Sequence, residues 1–370
     1  MFIGRKLLLL ILLFVVLSVS ILTSYIILIL STINAHVFLE EITCVNEENL
    51  KVDWFFVYKF PKHEGFDISG EEYVTIDSRD PEWRTGRERI GSNKSILGKT
   101  LSPLYNTWSN AHYFLYNDNP PNSNNYSIIT GHLKGALVWN KDGGFWLIHS
   151  VPKFPPTEGY GYPSKGIKYG QSFLCISLPF SAFVDLDDIF AVTFPRVYNC
   201  SVPEELTKMS NLCNKTIIED SRTSGIVKIQ SMKGDRYIVF GKSKSFSQDI
   251  VSGLMAPYLR SGLLSQTRQK LKTNCSIHYP VYNIKSMYLK STFFPSVNDR
   301  SKLAVSFTYE DGWACVGDIN RSPRQFQQGG GYVCTQNPNL YSSLRNSVID
   351  YENCDSKFSS FIQSRILAFY

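Results

Sequence analysis

The chain has 370 residues, a formal net charge of +6, 43% apolar residues and 19% charged residues. This length allows one large domain or two of ordinary size, and the composition excludes a disordered chain. The mild positive charge tolerates an anionic partner without requiring one.

The N-terminal segment is the first predicted element. Arg5 and Lys6 precede a nearly unbroken apolar run from Leu7 to Ile33. The run is long enough to span a bilayer, and its positive flank places the rest of the chain on the lumenal or outer side. Residues 1–35 are therefore expected to be either a signal peptide, cut near Ser31 to Ala35, or a retained signal anchor, and both lead into the secretory pathway.

The cysteines and the glycosylation sequons agree with export. All eight cysteines follow the apolar run, and an even number in an exported chain predicts disulfides. No Cys-x-x-Cys pair occurs, which argues against zinc-ribbon and thioredoxin-like proteins. Glycosylation is predicted at Asn93, Asn125, Asn199, Asn214 and Asn274.

The middle of the chain predicts a mixed α and β core. Residues 51–61 are typical of a buried strand, and residues 109–127, rich in Asn, Pro and Ser, predict an exposed loop. Residues 199–224 are polar and predict a connection between two halves. The apolar residues of residues 249–264 have the spacing of a helix, although Pro257 limits its regularity. The lysines of residues 242–244 predict a solvated loop, and the alternative is a surface that contacts a DNA backbone.

An internal repeat relates GHLKGALVWNKDGGFWLIHSVP (Gly131–Pro152) to NDRSKLAVSFTYEDGWACVGDIN (Asn298–Asn320). A gap-free shift of 168 positions places Lys134 on Lys302 and aligns the apolar residues and the glycine turn. Such a repeat predicts two similar halves related by a pseudo-twofold axis. In each copy, strand-like runs on both sides of the turn predict a β-hairpin.

The start of each hairpin carries the residues that point to chemistry. Alternation along a strand places His132 and Lys134 on one face, and Arg300 and Lys302 stand at the matching positions. Two His-x-Lys pairs facing each other would suit phosphodiester cleavage without a metal. One imidazole would attack phosphorus, the lysines would stabilise the oxygens, and the other imidazole would protonate the departing alkoxide.

The exported chain resembles the deoxyribonuclease II family. The stretches that carry the resemblance are VDWFFVYKFP, LYNDNPP, GHLKGALVW, DGGFWLIHSVPKFPP, YGQSFLCISLPF, TNCS, WACVGDINR and GGGYVC. The resemblance implies an acid endonuclease that needs no metal or other cofactor and leaves 3′-phosphate ends. It also implies an α+β, phospholipase D-like pseudo-dimer in which each half is a β-sheet flanked by helices, here residues 36–200 and 201–370.

The resemblance also implies roles for single residues. His132 would be the nucleophile, Lys134 and Lys302 would be catalytic, and Asn320 would contact the phosphate. Position 300 should hold the second catalytic histidine, and this chain has Arg300 there. The implied disulfides are Cys44–Cys175, Cys275–Cys354 and Cys315–Cys334, with Cys200 and Cys213 left to pair with each other.

Arg300 leads to two hypotheses. An arginine stays protonated and cannot exchange protons, but it can bind a phosphate through two hydrogen bonds. The first hypothesis is a deoxyribonuclease II-type enzyme with impaired activity. The alternative is a non-catalytic secreted homologue that binds DNA or a protein.

Three nearby residues are predicted to support the site. His149 would lie at its edge, Ser150 would form a hydrogen-bonding wall, and Asp318 would act as an acid only if desolvation raised its pKa. The expected partners are DNA, a membrane if the N-terminal segment is retained, and a second copy in a homodimer. The expected location is the lysosome or the outside of the cell, with a membrane-anchored form left open.

Overall fold

The computed structural model describes residues 2–37, 41–63, 65, 67–106, 111–121, 123, 127, 129–216, 220–268 and 271–354. The chain divides into two compact units, Met1–Glu41 and Ile42–Tyr370. The first contains helix α1 (Phe2–Val37), whose window Leu12–Ile29 is long and apolar enough to cross a membrane. The side chains of this window are exposed within the protein, as expected for a signal sequence or an anchor.

Every strand among the described residues lies in the second unit. Its first elements are β1 (Cys44–Val45), β2 (Lys51–Val52), β3 (Trp54–Lys59), β4 (Tyr73–Asp77), β5 (Arg84–Thr85), α2 (Ile96–Thr100), α3 (Ser102–Tyr105), β6 (His112–Asn117), β7 (Lys134–Asn140), β8 (Gly143–His149), β9 (Gln171–Pro179), α4 (Phe180–Thr193), β10 (Val197–Ser201) and α5 (Thr207–Cys213). The later elements are β11 (Ser224–Gln230), β12 (Arg236–Lys242), α6 (Ala256–Leu259), β13 (Leu263–Gln266), β14 (Val281–Leu289), β15 (Thr292–Pro295), β16 (Leu303–Ser306), β17 (Ala314–Gly317), β18 (Gly330–Thr335), α7 (Pro338–Asn346) and β19 (Val348–Tyr351).

Two large sheets repeat one strand order. The first sheet has the order β10-β6-β7-β8-β9-β3-β4-β5, and the second has β15-β14-β13-β16-β17-β18-β12-β11, with β19 paired to β14. Strands β6, β7, β8, β9, β3 and β4 therefore correspond to β13, β16, β17, β18, β12 and β11. The predicted mixed α+β architecture with two similar halves is confirmed by this order.

The repeat seen in the sequence is also a repeat of strand register. In the first hairpin Gly135 pairs with Ile148, and in the second Leu303 pairs with Val316. Both members of the second pair stand 168 positions after their counterparts in the first. Because a slip of one residue would turn every side chain to the other face, this agreement places equivalent side chains in equivalent positions.

The two sheets share one apolar core. It includes side chains from both sheets and from α4, among them Trp139 and Phe183, whose rings stack 5.1 Å apart. Two further clusters cover the remaining faces, one centred on the first sheet and one on the second. Strands buried on both faces lack the alternation of apolar and polar residues, which explains the long apolar runs in the sequence.

Two predicted segments need correction. Residues 109–127 contain β6, an interior strand of the first sheet whose Phe114, Leu115 and Tyr116 are fully buried, so this segment is not simply an exposed loop. Residues 249–264 are helical only in part, because the π-turn Val251–Met255 and α6 are followed by β13 from Leu263.

The structure pairs all eight cysteines. The bridges are Cys44–Cys175, Cys200–Cys213, Cys275–Cys354 and Cys315–Cys334, the same four pairs that the resemblance implies. Of the five sequon asparagines, Asn93 and Asn214 are exposed, Asn199 and Asn274 are partly exposed, and Asn125 lies outside the described residues.

Two buried lysines hold equivalent turns in the two halves. Lys59 at the end of β3 donates to the carbonyls of Gly166 and Ile167, at 2.7 and 2.8 Å, just before β9. Lys242 at the end of β12 donates to the carbonyls of Gln325, Phe326 and Gln328, just before β18. Burial lowers the pKa of Lys59 to about 7 and that of Lys242 to about 8. Lys242 is therefore not part of a solvated loop, and it fixes the backbone that leads into β18.

Candidate active site

Each of the two predicted motifs forms a backbone hydrogen bond to the other half of the fold. The backbone N–H of His132 donates to the carbonyl of Gly329 at 2.8 Å, just before β18. The N–H of Arg300 donates in the same way to the carbonyl of Gly170 at 2.9 Å, just before β9. Since these are equivalent positions of the two sheets, the structure places the two motifs symmetrically at the boundary between the halves.

The imidazole of His132 has a defined orientation. Its Nδ1 lies 2.6 Å from the carbonyl oxygen of Asp318, and its Nε2 lies 3.6 Å from Oδ2 of Asp118. Because a carbonyl can only accept, Nδ1 carries the hydrogen and the lone pair of the neutral ring is on Nε2. Burial lowers the pKa of His132 to about 4, although Asp118 opposes this effect. The ring is therefore neutral at pH 5 and Nε2 can act as a nucleophile.

Two lysines supply buried positive charge beside this ring. Lys134 forms an ion pair with Asp118, and both side chains are almost fully buried. The ammonium of Lys302 donates to the carbonyl of Arg300 at 2.5 Å. Burial and the nearby charge of Lys134 lower the pKa of Lys302 to about 7. An anion bound here would relieve the repulsion between the two lysines, so the arrangement favours an anionic group.

Asp118 is a site residue that the sequence analysis did not single out. It directly follows β6, within the stretch LYNDNPP. Burial alone would raise the pKa of its carboxyl, but the interactions with His132, Lys134 and Lys302 lower it overall. Asp118 is therefore an ionised partner of both members of the first motif. The feature that could have identified Asp118 is its position directly after β6, the strand that pairs with β7.

Arg300 differs from His132 in its surroundings. Its guanidinium carbon lies 3.9 Å from the centre of the Tyr169 ring, a cation–π contact. One terminal nitrogen donates to the carbonyls of Val297 and Asp299, at 3.3 and 3.2 Å. These contacts fix the guanidinium at the partly exposed rim of the site, and its planar group has further donors.

Arg268 occupies the place in the second half that Asp118 occupies in the first. In the first half, Asn117 pairs with the motif lysine Lys134. In the second half, Gln266 pairs with the residue that follows the equivalent lysine, Lys302, so in the same register the position opposite Lys302 itself is that of the residue after Gln266. The residue after Asn117 thus corresponds to the second residue after Gln266, which is Arg268. Burial and the charge of Arg268 lower the pKa of Arg300. Where the first half has His132 beside Asp118, the second half has Arg300 beside Arg268.

We call Lys168, Tyr169, Arg268 and Arg300 the basic cluster. The ammonium of Lys168 lies 5.4 Å from the centre of the Tyr169 ring, on which Arg300 also stacks. Lys168 and Arg268 are exposed, and Tyr169 and Arg300 are partly exposed. Two cations beside one aromatic ring, with the charge of Arg268 acting on Arg300, form a surface suited to an anion at the rim of the candidate site.

Two of the predicted supporting residues are buried. His149 lies in the core against Phe154 and Phe173, not at an open edge, and burial lowers its pKa to about 3. Ser150 donates to Oε1 of Gln171 at 2.5 Å and accepts from the N–H of Ser172 at 3.0 Å. The hydroxyl of Ser150 is therefore engaged both as a donor and as an acceptor.

Asp318 is the third predicted supporting residue. Its carbonyl orients His132, and its Oδ1 accepts from the N–H of Gly331 at 3.1 Å. Burial raises the pKa of its carboxyl to about 7. The desolvation on which the predicted acid role depended is therefore present, and the carboxyl is protonated at pH 5.

Asn320 borders the basic cluster. Its Oδ1 accepts from the N–H of Arg268 at 3.2 Å, and its own N–H donates to Gln325 at 2.5 Å. The Asn320 side chain therefore positions Arg268. In the described part of the chain, no group of three His, Cys, Asp or Glu side chains has the arrangement of a metal site.

A titration of His132 tests this electrostatic description. Because Asp118 favours the charged imidazolium, Asp118→Asn should lower the pKa of His132 below about 4. The measurement is an NMR titration of the histidine ring in the natural protein and the variant. Asp350→Asn is the matched control, since Asp350 pairs with Lys285 at the surface, and it should leave the pKa of His132 unchanged. A rise in the pKa for Asp118→Asn would contradict the described geometry.

Comparisons with known proteins identify the family of the chain. A family model described as deoxyribonuclease II matches residues 43–354. The chain is 40% identical over 331 residues to deoxyribonuclease-2-beta of Homo sapiens, covering 85% of this chain and 92% of the human protein. It is 33% identical over 339 residues to deoxyribonuclease-2-alpha of Sus scrofa, covering 86% and 93%. It is also 33% identical over 335 residues to cell-death-related nuclease 7 of Caenorhabditis elegans, covering 87% and 91%.

Proposed function

Because the chain belongs to the deoxyribonuclease II family, we propose that it is a metal-independent acid phosphodiesterase of DNA whose endonuclease activity is impaired by Arg300. His132 is the nucleophile, Lys134 and Lys302 bind the phosphate oxygens, and Asn320 supports the phosphate site from its edge. The observation that carries the proposal is the neutral His132 ring beside two buried lysines, with Nδ1 donating to a carbonyl and the lone pair on Nε2.

The first chemical step is attack of Nε2 on phosphorus. A P–N bond forms, the bond from phosphorus to the 5′ oxygen of the next nucleotide breaks, and the electron pair goes to that oxygen. Lys134 and Lys302 stabilise the charge on the other oxygens. Water then attacks phosphorus, the P–N bond breaks, and a 3′-phosphate end remains.

The impairment follows from the proton that the leaving oxygen needs. A sugar alkoxide is a strong base and leaves well only when an acid protonates it. The family resemblance assigns this task to a histidine at position 300, and a guanidinium cannot perform it because it stays charged. Arg300 is therefore expected to retain the substrate while slowing the bond cleavage.

A second candidate function rests on the basic cluster. Where the first half has His132 and Asp118, the second half has Arg300 and Arg268, a difference that should favour phosphate binding over proton transfer. A non-catalytic homologue that binds DNA or a protein would show such a difference. Its DNA affinity would fall steeply with rising salt, because bound phosphates release counterions.

The cellular setting is proposed from the first unit and the disulfides. The apolar helix α1 and the four bridges are typical of a chain that enters the secretory pathway. We place the protein in the lysosome or outside the cell, with α1 either removed as a signal peptide or retained as an anchor. Sequencing of the mature N-terminus distinguishes the two, since a start near residue 36 rules out the anchor. The proposed domains are residues 36–200 and 201–370, and a homodimer remains a proposal that sedimentation tests.

A plasmid assay tests the proposed function. Full-length protein in mild detergent is incubated with supercoiled plasmid at pH 5 in a chelator. The natural protein should nick slowly, and His132→Asn should abolish nicking. Nicking that persists in His132→Asn would overturn the assignment of the nucleophile. Salt-sensitive binding without nicking, in both the natural protein and Arg300→His, would favour the non-catalytic function.

A further inference from the structure

The need for a general acid depends on the leaving group. A sugar alkoxide requires a proton as it departs, whereas a phosphate departs as a stable anion because the second pKa of a phosphomonoester is about 6. A site with a nucleophile but no acid at the leaving-group side is thus restricted in one specific way. It can still cleave bonds whose leaving group needs no proton.

The candidate site has this division between its two halves. On one side, His132 presents Nε2 with the ring neutral at pH 5. On the other side, the place of the second histidine holds Arg300, with Arg268 and Lys168 close by. Lys302 connects the two sides, because its ammonium donates to the carbonyl of Arg300 while its charge acts on His132.

The contacts of Arg300 suit it to hold a departing anion. Its guanidinium is stacked on Tyr169 and fixed by two carbonyls, so little side-chain freedom remains to be lost on binding. Its remaining donors can meet two oxygens of one phosphate. We propose that the basic cluster makes this protein a hydrolase of nucleotide phosphoanhydride bonds, in which His132 attacks one phosphorus and Arg300 and Arg268 stabilise the other phosphate as it leaves. This inference rests on the proposed function, since it uses the same nucleophile.

The reaction balances without a general acid. Nε2 of His132 forms a bond to phosphorus, the bond to the bridging oxygen breaks, and the electron pair goes to that oxygen, which departs as a phosphate anion. The phosphorylated ring carries a positive charge because Nδ1 keeps its hydrogen, held by the carbonyl of Asp318. Water then attacks phosphorus and its oxygen forms the new bond. The P–N bond breaks, its electron pair returns to Nε2 as neutral imidazole, and a proton of the water passes to solvent.

A comparison of leaving groups tests the inference. Full-length protein at pH 5 in a chelator is assayed with diadenosine diphosphate, which has an anhydride bond, and with thymidylyl-thymidine, which has only an alkyl ester. The natural protein should hydrolyse the anhydride faster by a factor on the order of 10². Arg300→His should raise the thymidylyl-thymidine rate far more than the anhydride rate. Arg300→Gln should lose most of the anhydride activity without gaining activity on the alkyl ester.

The outcomes separate this inference from the proposed function. If the natural protein and Arg300→His show the same ratio of anhydride to alkyl-ester rates, or if Arg300→Gln keeps the full anhydride rate, the inference is wrong. If His132→Asn keeps the anhydride rate, the nucleophile is misassigned and the proposed function fails with it. The dependence of the rate on the leaving group can also be measured with the natural protein alone. The substrates are thymidine 3′-phosphate esters with nitrophenyl, phenyl and methyl leaving groups. A rate of the natural protein that does not depend on the leaving group would also overturn the inference.

Discussion

Replacement of Arg300 by histidine is expected to raise the rate of plasmid nicking at pH 5 by about 10²–10⁴-fold, the usual contribution of a positioned general acid. The backbone at this position already has the required geometry. The N–H of residue 300 bonds to the carbonyl of Gly170 just as that of His132 bonds to Gly329. An imidazole at position 300 would therefore face the site from the symmetric side, where the leaving oxygen is expected.

The gain should be limited by the neighbour of the new histidine. In the first half Asp118 supports the charged form of His132, whereas in the second half Arg268 opposes a positive charge at position 300. Arg268→Asp combined with Arg300→His should therefore exceed the rate of Arg300→His alone at pH 5. Arg236→Asp is the matched control, because it changes the net charge equally at an exposed position of the second half.

A small gain would identify another proton donor. If Arg300→His raises nicking by less than tenfold, the natural protein already protonates the leaving oxygen from elsewhere. Asp318 would then be the first residue to test, because burial raises the pKa of its carboxyl to about 7 and leaves it protonated at pH 5. Asp318→Asn would in that case lower the rate of the natural protein.

The repeat and the family were predictable because both are written in local sequence. The glycine turns and the alternating apolar residues of the two hairpins specify their register, and the observed pairs agree with the gap-free alignment. The position of Arg300 followed directly from this alignment. The disulfide pairs were implied by the family resemblance alone, since eight cysteines allow about 105 pairings.

Strand β6 was missed because its neighbourhood is misleading. The residues on both sides of it are rich in Asn, Pro and Ser, which normally indicate a loop. Its own residues are stabilised by pairing with β7 and β10, contacts to distant parts of the chain that local composition does not report. Tertiary contacts thus override a weak local preference.

The electrostatics of the site were beyond sequence reasoning for a related reason. Asp118 and Arg268 correspond only through the strand pairings of β6 and β13, and the two strands have dissimilar sequences. The shifted pKa of His132 arises chiefly from burial, which the sequence around it does not specify. Lys242 was likewise taken for part of an exposed run, although the fold buries it beneath three carbonyls.

The second large effect is expected at Arg321, directly after Asn320. Its side chain is almost fully buried and donates to Asp249 at 2.9 Å and to Asn283 at 2.5 Å. Arg321→Met should lower the free energy of unfolding by about 3–5 kcal/mol, because it leaves the Asp249 carboxylate buried without its counter-charge. The measurement is the urea concentration at the midpoint of unfolding at pH 7. Midpoints are compared between proteins whose unfolding free energy has the same dependence on urea concentration.

A double-mutant cycle separates this charge effect from lost packing. Asp249→Asn combined with Arg321→Met should be more stable than Arg321→Met alone, because an uncharged amide costs less to bury than an unpaired carboxylate. Arg222→Met is the matched control, since Arg222 forms its ion pairs with Asp188 and Asp220 near the surface, and the expected loss is about 0–1 kcal/mol. A loss below about 1 kcal/mol for Arg321→Met would show that the buried pair contributes no more than a surface pair. The backbone N–H of Arg321 also donates to the hydroxyl of Thr267, the residue before Arg268, so one hydrogen bond links the segment of this buried ion pair to the basic cluster.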